Sequence, residues 1–472
     1  MPSFPTIDPF RGEVLATYPI ETAARIQEKI ERLRGALPAW RALPVTERVR
    51  RVTQALEYFS RNRRMVAHDI TRQMGKPIRE SEREIETFFE RAAYLCAIAP
   101  EALAAESLPE KPGFFREIRH EPLGVLLVLA AWNYPLLVAI NGVAAALLSG
   151  NTVLLEHSDI TPGIGVHFER AFQEAFDRPI LLQTTTDHPT IDRIIEERGV
   201  DGVLFTGSVA GGKTVYEAAS RALIACNLEL GGKDGAYVAE DADPVAAAES
   251  LVEGAVYNAG QSCCSIERVY VHTDLYERFV AAARASMTTF RMGDPLSEAT
   301  TLGPLARGKA AAERLMGQIE EALAAGARLE HGGKIRTIGH GVFLEPTLLT
   351  GVTQEMRVMQ EESFGPLLPV MRVPDDETAF RRIDDSPYGL TAAIYTRDPQ
   401  RADRFSRAVT VGTVFMNRCD VLDPALPWSG CKESGVGCAL SRYGFLSVTR
   451  RMAIHFRIPT GPIDPRTGRE KR

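Results

Sequence analysis

The chain contains no Cys-x-x-Cys pair, and its cysteines and histidines have no zinc-finger spacing. Seven cysteines, Cys96, Cys226, Cys263, Cys264, Cys419, Cys431 and Cys438, are odd in number and scattered. A disulfide framework and a metal site are therefore not expected, and a reducing, cytoplasmic compartment is. The longest apolar run, from Leu123 to Leu148, is interrupted by Asn133, Pro135 and Asn141, which argues against a membrane span. Met1 to Pro5 hold no charged stretch followed by an apolar core, so no secretory leader is expected. A formal net charge of −6 gives no pointer to nucleic acid or an anionic membrane. Short internal repeats and low-complexity tracts are absent too.

What remains is an ordinary globular composition. The 472 residues, 45% hydrophobic and 25% charged, suffice for two or three domains with substantial cores. Residues 21–70 have helical spacing, with Thr22 as one cap and Thr46 preceding a charged amphipathic run to Arg63. A third helix is predicted from Ile78 to Ile98, and the charged faces of all three read as solvated. Pro109 to Pro122 is proline-bounded and alternates at Phe114–His120, which predicts a projecting strand pair. Apolar strands follow at Val125–Ala130, Thr152–Leu155, Ile180–Gln183 and Gly202–Phe205, separated by helices at Leu136–Leu148 and Gly163–Ala175. That alternation predicts an α/β fold with a mostly parallel sheet covered on both faces. Helices at Leu275–Phe290, Ala306–Ala325 and Glu377–Asp384 predict a second α/β unit, and the polar tail Gly461–Arg472 reads as loosely ordered.

Two stretches carry candidate chemistry. Tyr257-Asn258-Ala259-Gly260-Gln261-Ser262-Cys263-Cys264 places a thiol after a turn, just ahead of the apolar run Val269-Tyr270-Val271. A thiol at a loop tip can attack a carbonyl while its own amide donates to the oxyanion. The competing reading is an inert buried cysteine. Leu228-Glu229-Leu230-Gly231-Gly232-Lys233 sets a carboxylate between leucines, where burial would raise its pKa toward that of a base. A surface glutamate at a strand end is the alternative.

Together these motifs, with Glu229 and Cys263 34 positions apart, resemble the glutamate and cysteine signatures of the aldehyde dehydrogenase superfamily. The resemblance runs from about Pro9 to about Arg457. It implies a doubly wound Rossmann-type cofactor domain (residues 1–108 and 123–230) and an α/β catalytic domain (231–430). It also implies a β-strand oligomerisation flap (109–122 and 447–460) in which Met452–Arg457 pairs with the earlier strand. Cys263 would be the nucleophile, Glu229 the base for water, and Asn133 of Ala131-Trp132-Asn133-Tyr134-Pro135 an oxyanion donor beside the Cys263 amide. Trp132, Glu156, Gly207, Ser208, Gly212, Leu230, Glu362 and Phe364 would hold the cofactor. Of these, Gly207, Ser208 and Gly212 face its pyrophosphate, Glu362 its nicotinamide ribose and Phe364 its ring. Cys264, Arg418, Trp428, Tyr134 and Ser262 would neighbour the substrate tunnel. An aldehyde substrate and a homodimer or homotetramer follow from the same resemblance.

Four positions depart from the family pattern. Glu156-His157-Ser158 stands where Lys-Pro-Ser is usual, and a carboxylate there favours NAD over NADP by accepting from a ribose hydroxyl and repelling a 2′-phosphate. Leu181 to Thr186 lacks the usual glycine-rich loop. Asn141-Gly142 replaces a lysine, and Ala439 a late glutamate. Two other functions stay open on these grounds: a binding protein that kept only the fold, and a cysteine esterase working without NAD.

Overall fold

The computed structural model describes residues 2–175, 178–419 and 421–458. The predicted loosely ordered tail lies outside these residues.

Val125–Ala130 is a six-residue apolar run with every side chain buried. A strand of that kind needs cover on both faces, and its alternation divides the cover cleanly. Val125, Leu127 and Leu129 face one cluster with Ile26, Ile30, Ile191 and Val215. Leu126, Val128 and Ala130 face another with Phe59, Phe88, Leu136 and Phe168. Around this strand the first sheet has the spatial order Gly435–Val436, Ala225–Glu229, Gly202–Thr206, Val125–Ala130, Thr152–His157 and Leu181–Thr184. The last five are parallel and only the Gly435–Val436 edge is antiparallel. Strand order reverses between Val125–Ala130 and Gly202–Thr206, and ligands of doubly wound sheets bind at the carboxyl ends beside such a reversal.

A second sheet has the order Arg328–His331, Thr347–Thr350, Leu367–Val373, Ile266–His272, Asp234–Val238, Thr391–Tyr395 and Thr413–Met416. It is parallel apart from its Arg328–His331 edge. Glu229 ends a strand of the first sheet and Asp234 begins one of the second, so the Leu230–Lys233 link bridges the two sheets. Cys263 lies just ahead of Ile266–His272 in the second sheet. Both chemical motifs are thus brought to the same boundary.

The third sheet corrects the predicted strand pair within residues 109–122. Phe114–Pro122 is one nine-residue strand, paired along its whole length with Thr449–Arg457 and on its other edge with Glu106–Ser107. Pairing with a distant segment leaves no local turn signal to read.

The helical region departs from expectation in detail. Thr22 caps Ala23–Arg41, its hydroxyl accepting from the Arg25 amide. The second helix, Val45–Arg61, begins after Pro44 within the stretch expected to start it. The charged run then breaks at Asn62 into a separate helix, Arg63–Met74, and the following helix extends over Ile78–Ala102. A hairpin of Ser3–Ile7 with Val14–Pro19 had no sequence signal. Most consequential, the charged faces are not all solvated. Lys29, Arg48, Lys76, Glu84 and Arg91 are buried. Arg48 is compensated by the Leu148 and Leu43 carbonyls at 2.8 and 2.7 Å. Lys29 is compensated by Glu21 and the Gln183 carbonyl, both at 2.6 Å.

Candidate active site

A cavity of about 950 Å³ opens at the carboxyl ends of the first sheet. Its size lies at the upper end of ordinary ligand pockets, roughly 300–1,000 Å³. Asn133, Glu229 and Cys263, which stand on three separate stretches of chain, all line it. So do Trp132, Glu156, Gly207, Ser208, Leu230, Glu362 and Phe364. Gly212 is the exception: a side chain there would collide with Leu230, so this glycine lets the helix Val209–Ala222 pack down behind the cavity wall. Ser208 caps that helix, accepting from the Gly211 amide at 3.2 Å. Free helix-N-terminal amides beside the strand reversal suit a pyrophosphate. Trp132 meets Phe364 edge-on at 5.6 Å, forming a planar-faced end near the thiol. These features fit an extended dinucleotide.

The thiol loop is held in an uncommon shape. Asn258, Ala259 and Gly260 have φ values of 53°, 55° and 68° in succession. Two non-glycine residues in the left-handed region are costly unless their surroundings over-determine them. Here they do. Glu80 accepts from the Asn258 amide at 2.9 Å, and the Asn258 side chain donates to the carbonyls of Asn133 and Gln261 at 2.9 and 3.1 Å. Gln261 in turn donates to the Asn258 carbonyl and accepts from the Ala306 amide. A side chain at Gly260 would run into the Gly365 backbone. The loop therefore locates Asn133 and Cys263 relative to each other through a single asparagine. Asn133 itself precedes the helix Pro135–Leu148, whose first amides donate to Glu84. Glu84 is paired with buried Lys76, which lies 4.0 Å over the Tyr134 ring.

Burial sets the resting protonation states. It raises Glu229 to about 7, with Arg91 and Thr206 opposing. The Cys263 thiol is pushed well above its usual range by the hydrogen bond it shares with Cys264, then by burial and by the negative charges of Cys264, Asp234 and Glu229. Burial and the charge of Glu267 take Glu362 to about 7. Burial and Asp159 take Glu156 to about 8. The thiol is thus protonated at neutral pH, while a group poised to act as a base lines the same cavity.

Residues 2–454 match the model of the Aldehyde dehydrogenase family. The chain belongs to this family. The succinate-semialdehyde dehydrogenase [NADP(+)] of Deinococcus radiodurans is 35% identical, with 96% of this chain and 94% of that one covered. A succinate semialdehyde dehydrogenase [NAD(P)+] of Escherichia coli is 34% identical, over 93% and 95% respectively. Among solved structures, a NAD-dependent aldehyde dehydrogenase from Sinorhizobium meliloti superposes with a TM-score of 0.94 at 28% identity, covering 99% of this chain and 93% of that chain. The protein is therefore an oxidoreductase acting on aldehydes, and neither the binding-protein nor the esterase alternative is favoured.

Within this aldehyde dehydrogenase, the missing glycine-rich loop has a visible replacement. Thr184 and Thr186 donate to the side chain and carbonyl of Glu21, and Thr185 donates to the Pro19 carbonyl, which ties the segment to the N-terminal hairpin. Of the expected tunnel neighbours, Cys264, Ser262 and Trp428 are buried, whereas Arg418 is exposed.

Sequence reasoning missed the network that joins the motifs. Glu267, four residues after Cys263, accepts from Lys233 at 2.8 Å and from the Ser363 and Phe364 amides at 2.7 Å each. Phe364 has a φ of 51°, so these bonds fix a strained turn. The only available signal was a glutamate embedded in a run otherwise reading as a buried strand. Breaking this pair from one side should be costly. Glu267→Gln is expected to lower unfolding free energy by about 3–5 kcal/mol, because it strands a buried ammonium. Lys233→Met combined with Glu267→Leu should recover much of that loss. Urea unfolding of the three proteins decides; equal stability of the single variant and the parent would refute the assignment.

Proposed function

We propose that this enzyme oxidises an aldehyde to the carboxylic acid with NAD, through a thioester on Cys263 that water then cleaves. The observation that carries the reading is the convergence of Cys263, Asn133 and Glu229 on one cavity whose other residues suit a dinucleotide. Cys263 sulfur, once deprotonated, adds to the carbonyl carbon. The Asn133 side-chain amide, which has no partner of its own among the described residues, and the Cys263 N–H donate to the developing oxyanion. When bound, the dinucleotide supplies the acceptor for the hydride that leaves that carbon. Glu229, ionised, takes a proton from the water that attacks the thioester. Glu362 and the Trp132–Phe364 pair hold the nicotinamide end, and the amides beyond Gly207 and Ser208 hold the pyrophosphate. The division into cofactor, catalytic and flap parts belongs to this reading.

NAD is the preferred form in this reading because the Glu156 carboxyl, held up to about 8, can hydrogen-bond a ribose hydroxyl, while Asp159 and Asp187 on the same cavity wall disfavour a 2′-phosphate. The exposed apolar residues Leu108, Phe115, Phe456 and Ile458, on or next to the flap strands, support burial against another copy in a homodimer or homotetramer. The seven free thiols support a reducing, cytoplasmic setting.

Four measurements test the reading. Since Glu229 must be ionised to act, kcat should rise through about pH 7 and level above it where hydrolysis limits the rate. Glu229→Gln should keep a burst of NADH but lose steady turnover by about 10²–10⁴; full steady turnover in this variant would remove Glu229 as the base. Asn133→Ala should cut kcat by about 10²–10³, a loss to be followed by stopped-flow of the burst phase. The wild type should favour NAD over NADP in kcat/KM, and Glu156→Lys should shift that ratio toward NADP by roughly tenfold or more. A wild-type preference for NADP overturns the cofactor assignment.

A further inference from the structure

The carboxamide of Asn258 joins the two segments that carry Asn133 and Cys263. Its Nδ2 donates to the Asn133 carbonyl at 2.9 Å and to the Gln261 carbonyl, just ahead of Cys263, at 3.1 Å. An amide NH2 is planar, and its two hydrogens keep a fixed angle. Both carbonyls therefore take their direction from one rigid group. Asn258 is 1% exposed, and its Oδ1 has no partner among the described residues. Turning the carboxamide over would set that oxygen against two carbonyl oxygens, so its orientation is fixed.

Backbone shape does not account for this side chain. Asn258 has a φ of 53°, a region that asparagine tolerates better than most residues. Yet Ala259 holds nearly the same φ, 55°, with a methyl group alone. Glu80 fixes the turn by accepting from the Asn258 main-chain amide at 2.9 Å, a bond that any residue but proline makes. What glycine or alanine would lack is the pair of side-chain donors, which the protein keeps together with a buried, unpaired oxygen. The two arms depend on those donors unequally. Gln261 has further ties, donating to the Asn258 carbonyl at 3.1 Å and accepting from the Ala306 amide at 2.9 Å. Asn133 meets the thiol loop through the Asn258 side chain.

We propose that Asn258 is a positioning residue: it sets the separation between the Asn133 side-chain amide and the Cys263 sulfur, and acts on the reaction through that oxyanion donor. This rests on the dehydrogenase reading above. Asn258 does not line the cavity, and no bond is made or broken on it. Reacting groups displaced by about 1 Å can lose on the order of 10²-fold in rate. An Asn133 segment released from the thiol loop forfeits its aim at the oxyanion in this way.

Asn258→Gly is the test, because glycine keeps the left-handed turn and the bond to Glu80 while removing both donors. The NADH burst of this variant, followed by stopped flow, should slow by on the order of 10–100-fold, with KM for aldehyde and for NAD within about threefold of the parent. In an Asn133→Ala background the same substitution should cost less than about threefold, since the group it positions is already gone. Equal losses in the two backgrounds, or no loss in the parent, overturns the proposal and leaves Asn258 structural. A general loss of stability does not imitate the coupling, because both backgrounds carry it alike. A crystal structure of Asn258→Gly separates the positioning role from the dehydrogenase reading. Asn133 moved away from Cys263 by about 1 Å or more, in a protein that oxidises no aldehyde, would sink that reading and keep the role. Asn133 unmoved sinks the role itself, whatever the turnover.

Discussion

A single carboxylate, Glu267, holds three stretches of chain in register. It neutralises Lys233 from the glutamate motif, accepts two amides from the Ser363–Phe364 turn, and follows Cys263 by four residues. Lys233 also donates to the Ser363 hydroxyl at 2.9 Å, and Gln318 accepts from that hydroxyl at 2.8 Å. Both members of the ion pair are essentially without solvent. Such a pair adds little net stability over an apolar replacement, but losing one member is severe. Its value here is positional. It fixes the link between the two sheets, and with it the relation of Glu229 to Cys263 and of Phe364 to Trp132.

The same dryness sets the chemistry. Removing water from Glu229 raises it to about 7, so its carboxyl can both hold and release a proton near neutral pH. The thiol moves the other way from readiness: Cys264 and burial keep it protonated until something takes the proton. A thiol held protonated is less open to oxidation than a thiolate. Buried charge on the helix Ile78–Ala102 serves the same region. Glu80 orders the thiol loop, Glu84 caps the helix after Asn133, and Arg91 donates to Asn141 on that helix.

Much of the fold was legible because its determinants are local. Val125–Ala130 and Leu136–Leu148 are bounded by Gly124, Pro135 and Gly150 and filled with residues of one kind, so their limits could be read nearly to the residue. The helix boundary at Asn62 could not, since it depends on packing against distant chain, and the pairing partner of Phe114–Pro122 was reached only through the family resemblance. The site divided in the same way. Cys263, Glu229 and Asn133 sit in short motifs whose residue types declare a chemistry. Glu80, Lys76, Glu84, Arg91, Lys233 and Glu267 look from sequence like ordinary charges on amphipathic or strand segments.

By itself, the order of residues determined the class of fold, the family and which atoms could react, because strand and helix periods and reactive groups are properties of short stretches. Only the tertiary structure decided which charges are dry and which of them face one another. Burial and proximity arise when segments hundreds of residues apart meet. A charged side chain reads the same in sequence whether water or protein surrounds it.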